Sequence, residues 1–186
     1  MRVIAGRYGG RTLVAPAGPA TRPTADRVRE ALFSVLGHIE DARVLDLFAG
    51  TGALGIEALS RGAAHATFVE NARPALRALG QNLHALALDD VTTVLPLAVE
   101  RVLKAPPWEP QTFDLIFLDP PYAVVRSGRF TDALAKAVER GLVSALNPDG
   151  RVILEHASAE RPPTVSGITL EATRVYGDTA LSFYLR

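Results

Sequence analysis

The chain has 186 residues, 48% of them hydrophobic, with 20 basic residues balanced by 20 acidic ones, which is ample material for one domain with its own core. It contains no cysteine, which excludes disulfides, thiolate metal sites and cysteine nucleophiles, and His38, His65, His84 and His156 lack the close spacing of metal ligands, so no metal is expected. No apolar run is long enough to span a bilayer and residues 1–7 lack the apolar stretch of a signal peptide, so the expectation is a cytoplasmic protein. The charge is unevenly spread. Residues 1–30 carry six arginines against two acids, a net +4, which leaves the remainder at −4. Arginine forks suit phosphate, so this end is expected to meet a polyanion, against the plainer reading of a solvated face.

In chain order, residues 2–5 and 11–15 read as two short strands of a hairpin, joined through Gly6, Gly9 and Gly10, with Arg7 and Arg11 near the turn. The segment 17–23 is rich in proline and glycine and reads as loop. Thr24 is then placed to cap a helix reaching Leu36 with Val28, Ala31, Leu32 and Val35 on its apolar face. Arg22, Arg27 and Arg29 flank that start, and at least one of them should pair with Asp26 or Glu30. From residue 44 onward strands are expected at 44–48, 66–70, 91–95, 114–118 and 150–155, with helices near 53–61, 73–88, 98–104 and 130–144. Asn147-Pro148-Asp149-Gly150 reads as a turn before the fifth strand, and the runs 168–172 and 180–185 as a closing antiparallel pair. The fold class is α/β, a mostly parallel sheet covered on both faces. Residues 1–40 form a basic hairpin and helix extension to a main domain at 41–186.

Two stretches carry chemistry. In Val44-Leu45-Asp46-Leu47-Phe48-Ala49-Gly50-Thr51-Gly52-Ala53-Leu54-Gly55 a buried strand runs into G-x-G-x-x-G just where a helix must begin, the signature of a turn whose backbone approaches a ligand. Asp46 would repel a pyrophosphate and attract a cation, which favours S-adenosylmethionine over a dinucleotide. Glu70, twenty residues past Gly50, can accept the ribose hydroxyls of either. In Asp119-Pro120-Pro121-Tyr122, at the end of the apolar run 113–118, two prolines fix the backbone, so that the Asp119 carboxylate and the Pro120 carbonyl can accept the N–H groups of a planar amine. Tyr122 offers a face on which a base can stack. Both motifs are expected at the same edge of the sheet, so that donor and acceptor converge.

The pairing of these two motifs resembles the class I S-adenosylmethionine-dependent amino-methyltransferases. More narrowly, Arg22-Pro23-Thr24-Ala25-Asp26-Arg27-Val28-Arg29-Glu30, the stretch 46–55 and Tyr176-Gly177-Asp178-Thr179 look like the RsmD family, which methylates the exocyclic N2 amine of a guanine in bacterial 16S ribosomal RNA. The resemblance implies a Rossmann-like, seven-stranded sheet closing on an antiparallel hairpin. It implies that Asp46, Phe48, Ala49, Gly50, Thr51, Gly52, Gly55, Glu70, Asn71 and Ala98 hold S-adenosylmethionine, and that Asp119, Pro120, Pro121 and Tyr122 hold the base. Arg7, Arg11, Arg22, Thr24, Arg27 and Arg29 would border the pocket or the RNA. Leu97 departs from the pattern, since related enzymes often present Asp or Asn to the adenine amine there. A backbone carbonyl or apolar contact must serve instead. The partner implied is small-subunit RNA or a partly assembled ribosomal particle, met by a monomer without metal. Rival readings are methylation of adenine N6 in DNA or RNA, or of a protein glutamine; an NAD-dependent oxidoreductase; and a non-catalytic RNA-binding assembly module.

Overall fold

A computed structural model describes residues 1–15, 23–120 and 141–186, and side chains from Asp26 onward in the first helix. The chain forms two compact units, Met1–Pro96 and Leu97–Arg186. In the first, helix α1 (Pro23–Leu36) is followed by β1 (Arg43–Leu47), α2 (Ala53–Ser60), β2 (His65–Val69), α3 (Arg73–Ala85) and β3 (Thr92–Leu95). The strands pair in parallel in the order β3-β2-β1, with Asp46 opposite Phe68 and Val69 opposite Leu95. Val44, Leu45, Asp46 and Leu47 are each no more than 1% exposed, as expected of a parallel strand covered on both faces.

In the second unit α4 (Val99–Lys104) precedes β4 (Phe113–Leu118), then a helical turn at Val143–Ala145 leads into β5 (Leu146–Ala157), β6 (Thr169–Tyr176) and β7 (Thr179–Leu185). Here β4 and β5 are parallel, β7 is antiparallel to β5, and β6 pairs with β7 from the outside. The hairpin turns at Gly177, whose φ of 63° is one that glycine accepts at no cost. The seven strands, mostly parallel and ending in an antiparallel pair, are those expected of the α/β reading.

Several boundaries differ from expectation, for local reasons. Helix α1 begins at Pro23, so Thr24 lies inside it rather than capping it; proline is at home in a first turn, where its missing N–H has no partner to lose. Phe48 and Glu70 fall just beyond β1 and β2. Val91 belongs to a short 3₁₀ turn, Asp89–Val91. The turn at Asn147-Pro148-Asp149-Gly150 lies within β5, as a bulge: Phe113 pairs with Leu146 but Leu115 pairs with Arg151. Asp149 takes a φ of 66° there, and Asn147 Nδ2 donates to Asp114 Oδ1 at 2.6 Å. The helix expected at 130–144 lies outside the described residues except for its last turn.

The hairpin at the N-terminus is reduced to a single bridge, Arg2 with Thr12, and its stability comes from α2 instead. Glu57 is fully buried. Its carboxylate accepts the amides of Ile4 (2.7 Å) and Ala5 (3.1 Å) and the Arg61 Nε (2.8 Å). One turn on, Ser60 Oγ accepts the Tyr8 amide, and its carbonyl accepts that of Arg7. Gly6 passes so close that a Cβ there would lie 1.9 Å from the Ser60 carbonyl oxygen. Glu57→Ala would leave those amides and Arg61 Nε without their anion and remove one of the two carboxylates facing the buried Arg29. A loss of about 3–5 kcal/mol is expected, read as a lowered urea midpoint.

Candidate active site

In the first unit the candidate residues gather at the turn between β1 and α2. Phe48 leaves the strand with a φ of 63°, a conformation rarely taken by non-glycine residues, and Gly50 and Gly52 follow at 56° and 81°. Two carboxylates hold this path by its backbone. Asp46, 1% exposed, accepts the Gly55 amide through Oδ2 at 2.9 Å and so satisfies an N–H of the first helical turn. Glu70 Oε2 accepts the Gly50 amide at 2.8 Å, while Oε1 accepts the amides of Asn71 (2.8 Å) and Ala72 (2.7 Å). The Ala49 amide donates to Val69 and that of Gly52 to Ala49. Asp46, Phe48–Gly52, Gly55, Glu70 and Asn71 thus lie together around this turn.

The three glycines do different work. A Cβ on Gly52 would come within 2.4 Å of Leu79 Cδ1, and one on Gly55 within 2.3 Å of Phe68 Cε1 and 3.3 Å of Asp46 Oδ2. These two allow α2 to settle on β1 and β2. A Cβ on Gly50 would meet nothing nearer than the Phe48 carbonyl at 4.0 Å, so that side of the turn is open to a ligand. Asn82 on α3, which the sequence did not single out, is 2% exposed and donates to the Thr51 carbonyl at 3.0 Å.

Among the arginines assigned to RNA, Arg7, Arg11 and Arg27 are exposed. Arg22 and the Thr24 side chain lie outside what is described. Arg29 is a correction. Only 4% exposed, its guanidinium donates to the Arg2 carbonyl and to Asp26 Oδ1 at 3.0 Å. It pairs with Asp26, as one arginine of this group was expected to do, and is withdrawn from any RNA surface.

The other unit, Leu97–Arg186, carries a second set of candidate residues. Strand β4 is buried along its length and ends at Asp119 and Pro120; Pro121 and Tyr122 lie outside the described residues. The parallel register pairs Leu118 with Leu154, which makes Glu155 the counterpart of Asp119 one step further on. Sequence reading missed Glu155, whose relevance comes only from that register. Asp119 is open to solvent, yet the mass of protein around it pushes its carboxyl up to about 6. Half-buried Glu155 is pushed up to about 8, first by burial and then by the Asp119 charge. At neutral pH the pair therefore shares about one negative charge, with the proton favouring Glu155. Ala98 caps the start of α4, its carbonyl accepting the amides of Arg101 and Val102, with half-buried Leu97 before it.

These features set two expectations. Gly55→Ala should lower stability by about 1–3 kcal/mol through overpacking and Gly50→Ala by about 1–2 kcal/mol for its φ alone, while Gly52→Ala, at a φ of 81° and crowded by Leu79, should suffer both and cost the most; urea titrations compare them. Because the folded pKa of Glu155 lies above its unfolded value, its favourable contribution is complete below about 4.5 and is lost as pH rises through about 8. Glu155→Gln, always neutral, should gain in Tm over the unsubstituted protein as pH is raised from 5 to 8.5. Calorimetry across that range is the check.

The chain matches the family model described as "Conserved hypothetical protein 95" over residues 1–185. It is 39% identical to "Putative rRNA methyltransferase YlbH" of Bacillus subtilis, across 99% of this chain and 98% of that one. It is 35% identical to "Ribosomal RNA small subunit methyltransferase D" of Escherichia coli, across 100% and 90% of the two chains. The solved structure described as "Putative methyltransferase yhhF from Escherichia coli" superposes with a TM-score of 0.82 at 34% identity, covering 100% of this chain and 97% of that one. With a glycine turn pinned by Asp46 and Glu70, an Asp-Pro end to β4 and relatives matched along its whole length, the chain belongs to the RsmD family, the family of ribosomal RNA small subunit methyltransferase D.

Proposed function

We propose that this protein is an S-adenosylmethionine-dependent methyltransferase of small-subunit ribosomal RNA, and that its acceptor is the exocyclic N2 amine of a guanine. The observation that carries the reading is the end of β4, where an ionised acceptor, Asp119, precedes a proline carbonyl in a chain that also carries the open glycine turn. The open side of Gly50 and the carboxylate of Glu70 at the tip of β2 fit a nucleoside cofactor. When bound, S-adenosylmethionine supplies a methyl group on a positively charged sulfur.

The chain's own residues then have separable tasks. Glu70 takes the ribose hydroxyls, retaining or exchanging its bonds to the turn. Asp46 keeps the turn in shape through Gly55 and adds negative potential under a cationic ligand. Phe48, Ala49, Thr51, Gly52 and Asn71 shape the same cradle, and Ala98 with Leu97 borders the adenine. The Asp119 carboxylate and the Pro120 carbonyl accept the two N–H groups of the guanine amine, which directs its lone pair at the methyl group and stabilises the charge that develops on nitrogen. The methylated nitrogen then gives up one proton, to Asp119 or to water. Pro121 holds the turn and Tyr122 stacks on the base, which must leave its RNA stack to arrive there. Arg7, Arg11, Arg22 and Arg27 meet RNA phosphates, with Thr24 beside them.

The test is transfer of labelled methyl from S-adenosylmethionine to unmodified small-subunit particles and to stripped RNA, followed by nucleoside analysis. Label on guanine N2 is the expected result. Label on adenine, DNA or protein would keep the fold and cofactor but overturn the acceptor, and no transfer with no cofactor binding would overturn the reading. Asp119→Ala should lose turnover by roughly 100-fold or more while S-adenosylhomocysteine affinity stays unchanged. The unsubstituted enzyme should slow below about pH 6, as Asp119 becomes protonated and loses the charge that stabilises the amine.

A further inference from the structure

We propose that Asn82 is a positioning residue that joins the cofactor turn to the N-terminal arm, so that filling the turn tightens the arm that faces RNA. The inference rests on the reading of residues 46–55 as the cofactor turn. It starts from one buried amide whose hydrogen-bonding groups reach two distant segments. Asn82 Nδ2 donates to the Thr51 carbonyl and to the Val14 carbonyl, both at 3.0 Å, and Oδ1 accepts the Val14 amide at 2.7 Å.

A second route links the same two segments. Thr51 Oγ1 lies 3.7 Å from Met1 Sδ, and the Met1 carbonyl accepts the Leu13 amide at 3.0 Å. Thr51, Met1, Leu13, Val14 and Asn82 thus close a ring of contacts around the edge of the turn. At 2% exposure Asn82 cannot replace a lost partner with water, so the Thr51 carbonyl cannot shift without drawing Asn82 along or stranding a buried donor. Thr51 lies between Gly50 and Gly52, both at positive φ, where the backbone has most freedom to adjust to a ligand.

The arm can pass such a shift outward. Val3 and Leu13 are buried, while Val3 donates to the Arg11 carbonyl at 2.9 Å and Gly10 donates to the Val3 carbonyl at 2.9 Å. Tightening at Val14 therefore reaches Arg11, whose side chain is exposed, through backbone bonds alone. The polar bonds of Asn82 tie the turn to the arm, so its role is separable from that of the apolar residues of α3, Leu79 and Leu83, which fill the core.

Amide hydrogen exchange followed by mass spectrometry tests this on the full chain, with S-adenosylhomocysteine as the probe. In the unsubstituted protein the ligand should slow exchange at residues 48–55 and also at residues 10–15, by roughly threefold or more at each. In Asn82→Ala the ligand should still slow 48–55 while 10–15 lose most of their response, since only the long Thr51–Met1 sulfur contact then joins the two segments. Asn82→Asp, which keeps an acceptor for the Val14 amide but loses both donors, should behave as Asn82→Ala does and serves if the alanine variant fails to fold. Ligand protection of 48–55 without any at 10–15 in the unsubstituted protein would overturn the proposal, as would undiminished protection of 10–15 in either variant. No protection of 48–55 would overturn the cofactor reading beneath it.

Discussion

A chain that leaves a buried parallel strand and enters a helix five residues later must satisfy the helix's first amides away from bulk water, while leaving one side of the turn free for a ligand. Here that constraint is met by carboxylates. Asp46 reaches forward nine residues to the Gly55 amide, and Glu70 reaches across from the end of β2 to Gly50. Each bond joins a charged acceptor to a backbone donor, the stronger kind of hydrogen bond. Phe48 at positive φ and the packing of Gly52 and Gly55 against Leu79 and Phe68 depend on this path being held. A dinucleotide phosphate would have to displace both carboxylates from these amides, whereas a cationic nucleoside can leave them in place.

The arm at the N-terminus follows from the next helix surface along. Glu57 and Ser60, one turn apart on α2, collect the backbone of residues 4–8, and Arg29 from α1 brings a buried positive charge toward Glu57. Two strands joined by a single bridge would be marginal alone. Secured in this way, they present Arg7 and Arg11 from a fixed position, and the charge of Arg29 serves the fold.

Most of the architecture was legible because it is written locally. Apolar runs gave the strands to within a few residues, and the glycine spacing located the turn. The misreadings share a different cause. Asn147 to Gly150 has turn chemistry, and only the pairing of β4 with β5 shows that it bulges within a strand. Arg29 looks like its basic neighbours until Asp26 and the Arg2 carbonyl are seen around it. Glu57 and Asn82 act on partners more than 50 residues away, and no periodicity marks a buried polar residue as a clamp.

Glu155 shows how register can create chemistry that no motif contains. The run Val152-Ile153-Leu154-Glu155 reads as an ordinary strand end, and a glutamate there would commonly be a solvated one. Parallel pairing carries it beside Asp119. Antiparallel pairing places Leu181 on its other side, with Arg174 beyond on β6. Apolar neighbours and one like charge leave it protonated where an exposed glutamate would be ionised. Asp119, raised only to about 6 by desolvation, is the lower of the two. Two ionised carboxylates at neighbouring strand ends would repel each other, and the raised value of Glu155 avoids that. The register that aligns β5 with β4 therefore sets the charge state of the carboxyl that stands beside the motif β4 delivers.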